Sequence, residues 1–69
     1  MANHNAMPPG EALALAASQV GEVAGVDSIL SEMNTGEDGT FVSTTIIWED
    51  KSGSILQTAT VLADGSVVL

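Results

Sequence analysis

Apolar residues recur at a helical period between Glu11 and Ala24. At 100° per residue they form one broad stripe, made of Ala12, Leu13, Ala16, Ala17, Val20, Val23 and Ala24. Glu11, Ser18 and Glu22 lie opposite this stripe, and Leu15 falls on their side. The pattern predicts an amphipathic helix over residues 11–24 that ends at Gly25, since a glycine often follows a helix. Leu15 is expected to stay outside the core.

Two segments beside this helix carry weaker patterns. Residues 1–10 are small and polar and include Pro8-Pro9-Gly10, which predicts a flexible lead-in before a single domain formed by residues 11–69. Residues 26–34 allow two interpretations. A strand is favoured because Gly25-Val26 leads from a helix into a run that ends at turn residues, but Val26, Leu30 and Met33 would also suit a second helix.

The second half of the chain has the pattern of a β-meander. Thr40–Trp48 is rich in β-branched and aromatic residues and predicts a strand. Asp50-Lys51-Ser52-Gly53 predicts a turn, after which Ile55–Ala63 returns antiparallel. Asp64-Gly65 predicts a second hairpin that leads into a short last strand. The predicted fold class is α+β, with one N-terminal helix packed on a three- to four-stranded antiparallel β-meander.

The turn at Asp50 implies a register for the two central strands. If Asp50 faces Ser54, then Trp48 faces Leu56 and every later pair follows. The better core face would then carry Trp48, Leu56, Val42, Ile46 and Leu62. The second face carries the candidate self-association residues, which are Phe41, Ile47, Ile55, Val61 and Val68. One Ala-rich helix cannot cover both faces, so the second face predicts a homo-oligomer, most simply a two-fold dimer.

Charge and composition restrict the class of partner. Nine Asp or Glu residues stand against one Lys or Arg, which gives a formal net charge of −8, and cysteine is absent. Direct binding to nucleic acid or to a membrane surface is therefore not expected, and neither is a thiolate metal site. The longest apolar run, Ala12–Ala17, is too short for a signal peptide or a membrane span, so a cytoplasmic location is the expectation.

The sequence contains no catalytic constellation. Nucleophilic catalysis needs a base beside the nucleophile, and the single histidine, His4, lies in the N-terminal lead-in. A calcium loop beginning at Asn34 would need a bidentate Glu at its twelfth position, where this chain has Thr45. We therefore expect no enzymatic activity, no cofactor and no metal.

Paired carboxylates at two turns are the candidate partner-binding residues. Glu37-Asp38 and Glu49-Asp50 flank glycine-containing turns, where solvent keeps both members of a pair charged. They predict a small acidic, non-enzymatic binding module, an inhibitor or adaptor, for a protein with a basic surface such as a nucleic-acid-binding protein. The alternative is a structural or assembly subunit, of a virion or another complex, that self-associates through the second sheet face.

Overall fold

The computed structural model describes residues 7–69, which form one helix packed on a four-stranded antiparallel sheet. The elements are α1 (Pro9–Val20), β1 (Ser28–Thr35), β2 (Phe41–Glu49), β3 (Ile55–Leu62) and β4 (Val67–Val68). The strands are neighbours in chain order, as a meander requires. The predicted fold class is confirmed, and the strand interpretation of residues 26–34 is correct. Residues 1–6, which include His4 and most of the predicted lead-in, lie outside the described residues.

Helix α1 begins and ends earlier than the periodicity predicted. The carbonyl of Pro8 accepts N–H bonds from Glu11 and Ala12 at 3.0 and 3.1 Å, and Pro9 fits the first turn because the N–H that proline lacks has no helical partner there. At the other end Gly21 has a φ of 78°, and its N–H donates to the Ala17 carbonyl at 2.8 Å. This positive φ is strained for a residue with a side chain but is open to glycine. The helix therefore ends at Gly21 and not at Gly25.

The core lies between α1 and one face of the sheet. Its buried apolar members are Ala12, Ala16, Ile46, Trp48, Ala59 and Val61. The alanines allow the helix backbone to approach the sheet closely, while the strand residues supply most of the volume. The stripe is centred on Ala12 and Ala16, which places Leu15 on its flank. Leu15 is consequently half-buried against the core, contrary to the prediction, and Ala17 is exposed.

The register between β2 and β3 differs from the predicted one by a single residue. Glu49 pairs with Ile55, as predicted, but Trp48 pairs with Gln57 because Leu56 is an extra residue at a β-bulge. All pairs further from the turn are therefore shifted by one position relative to the predicted register.

This shift moves side chains of β3 to the other face of the sheet. Val61 lies opposite Thr44 and is fully buried under α1, so its predicted place on the uncovered face is wrong. Leu62 follows Val61 and points to the opposite face, and Leu56 is the unpaired, exposed bulge residue. Neither therefore belongs to the core face on which it was predicted. Val42, a third predicted core residue, is exposed beside an irregular pairing of β1 with β2.

Candidate functional site

The two predicted acidic pairs lie at opposite ends of the sheet. Glu37 and Asp38 occupy the turn between β1 and β2, and Glu49 and Asp50 lie where β2 meets the turn to β3. Strand β2, whose nine residues end at Glu49, runs from one pair to the other and corresponds to roughly 30 Å of extended chain. The fold therefore does not bring the two pairs together.

Asp38 is held in place by its own turn. Its Oδ1 accepts hydrogen bonds from the Thr40 N–H at 3.1 Å and from the Thr40 hydroxyl at 2.6 Å. Asp64 has the same arrangement in the turn between β3 and β4, where its Oδ1 accepts from the Ser66 N–H and hydroxyl at 2.9 and 2.6 Å. In each case the hydroxyl bond is the main cause that holds the pKa of the carboxyl below its ordinary value.

Asp50 accepts more bonds than either of the other turn aspartates. Its Oδ1 is bonded by the Ser52 N–H at 2.9 Å, the Ser52 hydroxyl at 2.7 Å and the Ser54 N–H at 3.0 Å. The Ser52 hydroxyl, followed by the backbone bond from Ser54, lowers the pKa of Asp50. The turn aspartates are thus ionised and fixed in orientation, so they stabilise the turns as well as providing surface charge.

The two ends of the sheet differ in charge. The β3–β4 turn lies at the same end as the β1–β2 turn because the strands alternate in direction, so Asp64 joins Glu37 and Asp38 there. The other end also carries three carboxylates, Asp27, Glu49 and Asp50, but the single lysine, Lys51, lies in the β2–β3 turn among them. The end formed by the β1–β2 and β3–β4 turns, here called the acidic end, therefore carries its carboxylates without a neutralising lysine or arginine.

Asp64 is a candidate binding residue that the pairing of acids along the sequence did not reveal. It stands alone between Ala63 and Gly65, where the sequence pattern predicts only a turn. The signal that could have identified it is an aspartate two positions before a serine or threonine, which occurs in all three strand turns. An aspartate at that spacing can accept both the N–H and the hydroxyl of the later residue.

The face of the sheet opposite α1 is open and mixed in character. By the register, this open face includes Leu30, Glu32, Asn34, Ser43, Thr45, Ile47, Ile55, Thr58, Thr60 and Val68. Its centre is polar, because the Asn34 side-chain N–H₂ donates to the hydroxyls of Ser43 and Thr45, both at 3.0 Å. The one-residue shift of β3 brings Thr58 and Thr60 to this face, which the predicted register did not anticipate.

The predicted self-association residues are only partly brought together. Ile55 and Val68 are 61% and 55% exposed, and their strand partners Glu49 and Thr60 place them on the open face. Ile47 is half-buried on the same face, in the neighbouring strand β2 opposite Thr58. Phe41 is half-buried beside the irregular pairing of β1 with β2, and Val61 belongs to the core.

The described residues, 7–69, contain no helix long and apolar enough to cross a membrane. Within the same range, His, Cys, Asp and Glu side chains form no group of three or more that could hold a metal ion. Comparisons with protein-family models, with curated proteins and with solved structures found no match for this chain.

Proposed function

We propose that this chain is a non-enzymatic, acidic binding module that docks its acidic end onto a basic surface of a protein partner. The observation that carries the proposal is the arrangement of Glu37, Asp38 and Asp64 at one end of the sheet, away from Lys51. Two of these carboxylates are fixed by hydrogen bonds within their turns.

Fixed carboxylates suit this role for two physical reasons. A side chain that is already ordered loses little conformational entropy on binding. A net charge of −8 also attracts a cationic partner over a distance, which raises the association rate and makes it sensitive to salt. The partner class is a protein rich in Lys or Arg, such as one that binds nucleic acid, and the module would act on it as an inhibitor or adaptor.

The test combines partner capture with charge neutralisation. A partner retained from a native extract at low salt and released at high salt would be purified, and its association rate measured against three forms of the chain. The double variant Glu37→Gln, Asp38→Asn should slow association. Asparagine keeps the acceptor oxygen that Thr40 bonds, so the turn is retained.

The matched control is Glu49→Gln, Asp50→Asn at the opposite end, which removes the same charge. This control should slow association much less than the first variant. Equal and negligible effects from both variants would contradict electrostatic recognition through the turns. Equal and substantial effects would show that overall charge, and not the acidic end, directs binding.

The exposed apolar residues of the open face favour a second candidate function. Ile55 and Val68 are more than half exposed on that face, and Ile47 lies on the same face in the neighbouring strand β2. A structural or assembly subunit could use them to pair with a second copy. Self-association and partner binding should respond oppositely to salt, because salt screens repulsion between two acidic chains and also screens attraction to a basic partner.

A further inference from the structure

Strand β1 is an open edge of the sheet. Its one strand neighbour among residues 7–69 is β2, so alternate residues direct their N–H and C=O groups away from the sheet. All of its residues except Asn34 are exposed. Natural sheets usually protect such an edge with lysine, proline or a very short strand. Edge strand β4 has two residues, whereas β1 has eight, with Glu32 as its single charge and no proline.

A groove lies on the helix side of this edge, beside Ile29 and Ser31. Helix α1 packs on β2, β3 and β4, and its first turns leave a space of about 150 Å³ beside β1. Leu13 lines the groove from the helix, Ile29 from the edge strand and Ile46 from the floor. Ile29 and Met33 face the helix side of the sheet, since they pair with Trp48 and Thr44, and they are 45% and 53% exposed.

We propose that β1 accepts an extended segment of a protein partner as a fifth strand of the sheet. Main-chain hydrogen bonds to the free edge would hold the segment. Apolar side chains at alternate positions would pack beside Ile29 and Met33 on the helix side of the sheet, and the groove lies next to Ile29. The intervening side chains would face Glu32 on the other side of the sheet, where Lys or Arg is favoured.

Charge decides between a partner segment and a second copy of this chain. Two copies would each bring a net charge of −8 and would place a second Glu32 along the same edge. A cationic segment instead neutralises part of this charge. The inference concerns the edge of β1 and does not depend on the acidic end proposed above.

The probe is a peptide of alternating Val and Lys with blocked ends, as long as the eight residues of β1. Amide hydrogen exchange is followed by NMR with and without the peptide. Alternate amides of β1 should become protected on binding, because they gain carbonyl partners, while the amides of the β1–β2 turn should not change. A control peptide with N-methyl groups at its edge-facing amides keeps the charge and should bind at least about tenfold more weakly.

Matched variants of the chain test the position of the added strand. Ile29→Lys should weaken binding of the peptide by about fivefold, because it replaces an apolar neighbour of the peptide valines with a charged side chain. Val68→Lys introduces the same charge at a similarly exposed valine on the other edge and should have little effect.

Three results would overturn the proposal: no protection of β1 amides, equal binding of the N-methylated peptide, or equal effects of the two lysine variants. Protection of β1 that grows with protein concentration and without peptide would assign the edge to a second copy. A separate outcome is that peptide binding fails while the double variant Glu37→Gln, Asp38→Asn still slows association with the captured partner. That result would exclude the β1 edge as a strand-binding site and retain the acidic end as the docking site.

Discussion

At the scale of single residues, each turn aspartate acts first on its own turn. Asp50 accepts three hydrogen bonds, whereas Asp38 and Asp64 accept two each. Asp50→Ala should therefore lower the thermal unfolding midpoint more than Asp38→Ala or Asp64→Ala. Asp50→Asn keeps the acceptor oxygen and should lose less than Asp50→Ala. Circular dichroism melts would measure this order, and equal midpoints for Asp50→Ala and the parent chain would contradict it.

The same hydrogen bonds give a pH dependence with a defined sign. The pKa of Asp50 in the folded chain lies below its ordinary value of 3.8, because Ser52 and Ser54 bond the ionised form. The contribution of the Asp50 carboxylate to folding stability is fully present above pH 3.8, and it is lost as the pH falls through the lowered pKa. Below pH 4, roughly the ordinary pKa of Asp, the melting temperature of the parent should fall more steeply than that of Asp50→Asn. Parallel curves would contradict this assignment.

At the residue scale, the sequence revealed the charges and the turns but not the bonds between them. Asp38 and Asp50 were identified as exposed turn acids, and their positions agree with that. Their fixed orientation depends on hydroxyls two positions later, and Asp64, which shares this arrangement, was not a candidate. Composition therefore predicted the amount of negative charge on the surface, whereas local hydrogen bonds determine which carboxylates have a fixed orientation.

At the scale of elements, strand identity was predictable and register was not. β-branched residues and turn residues located β2 and β3 closely, since each signal is local to its own segment. The face of Val61 depends instead on one extra residue, Leu56, at the bulge opposite Glu49. A shift by one residue moves every later side chain of the strand to the other face of the sheet. The hairpin was therefore predicted correctly, but Val61 was assigned to the wrong face.

The corrected register makes a direct prediction about two valines of neighbouring strands. Val61 is fully buried under α1 and Val68 is 55% exposed on the open face. Val61→Ala should lower the free energy of unfolding by about 2 kcal/mol, because it removes buried methyl groups and leaves a cavity. Val68→Ala should change it by less than about 0.5 kcal/mol. Urea denaturation would measure both, and equal losses would contradict the register.

Close packing of the helix makes a second prediction at this scale. Ala16 is fully buried against the sheet, whereas Ala17, its neighbour in the same helix, is exposed. Ala16→Leu should destabilise the chain by about 1–3 kcal/mol, because the added methylene groups force the helix away from the sheet. Ala17→Leu has the same effect on helix propensity and should be nearly neutral. Similar losses from both variants, measured by urea denaturation, would contradict the observed rotation of α1.

At the scale of the whole molecule, the sequence predicted one helix on a meander because each element carries its own local signal. The helix was identified by its alanine-rich stripe. Its C-terminal end was predicted four residues too late because Gly25 was the predicted stop, whereas the chain turns at Gly21. The molecule is elongated, with extents of 41 × 21 × 17 Å, since a short helix covers only part of one face of long strands. That geometry leaves the open face and the β1 edge uncovered.

Salt should separate the two candidate functions of the whole molecule. Pairing of two copies through the open face must overcome repulsion between chains of charge −8, and added salt screens that repulsion. The dimer fraction should therefore rise with salt, whereas binding to a basic partner should fall. Ile47→Glu should keep the chain monomeric, while Met33→Glu on the helix side should not. Sedimentation equilibrium showing a 7.0 kDa species at micromolar concentration and high salt would exclude self-association.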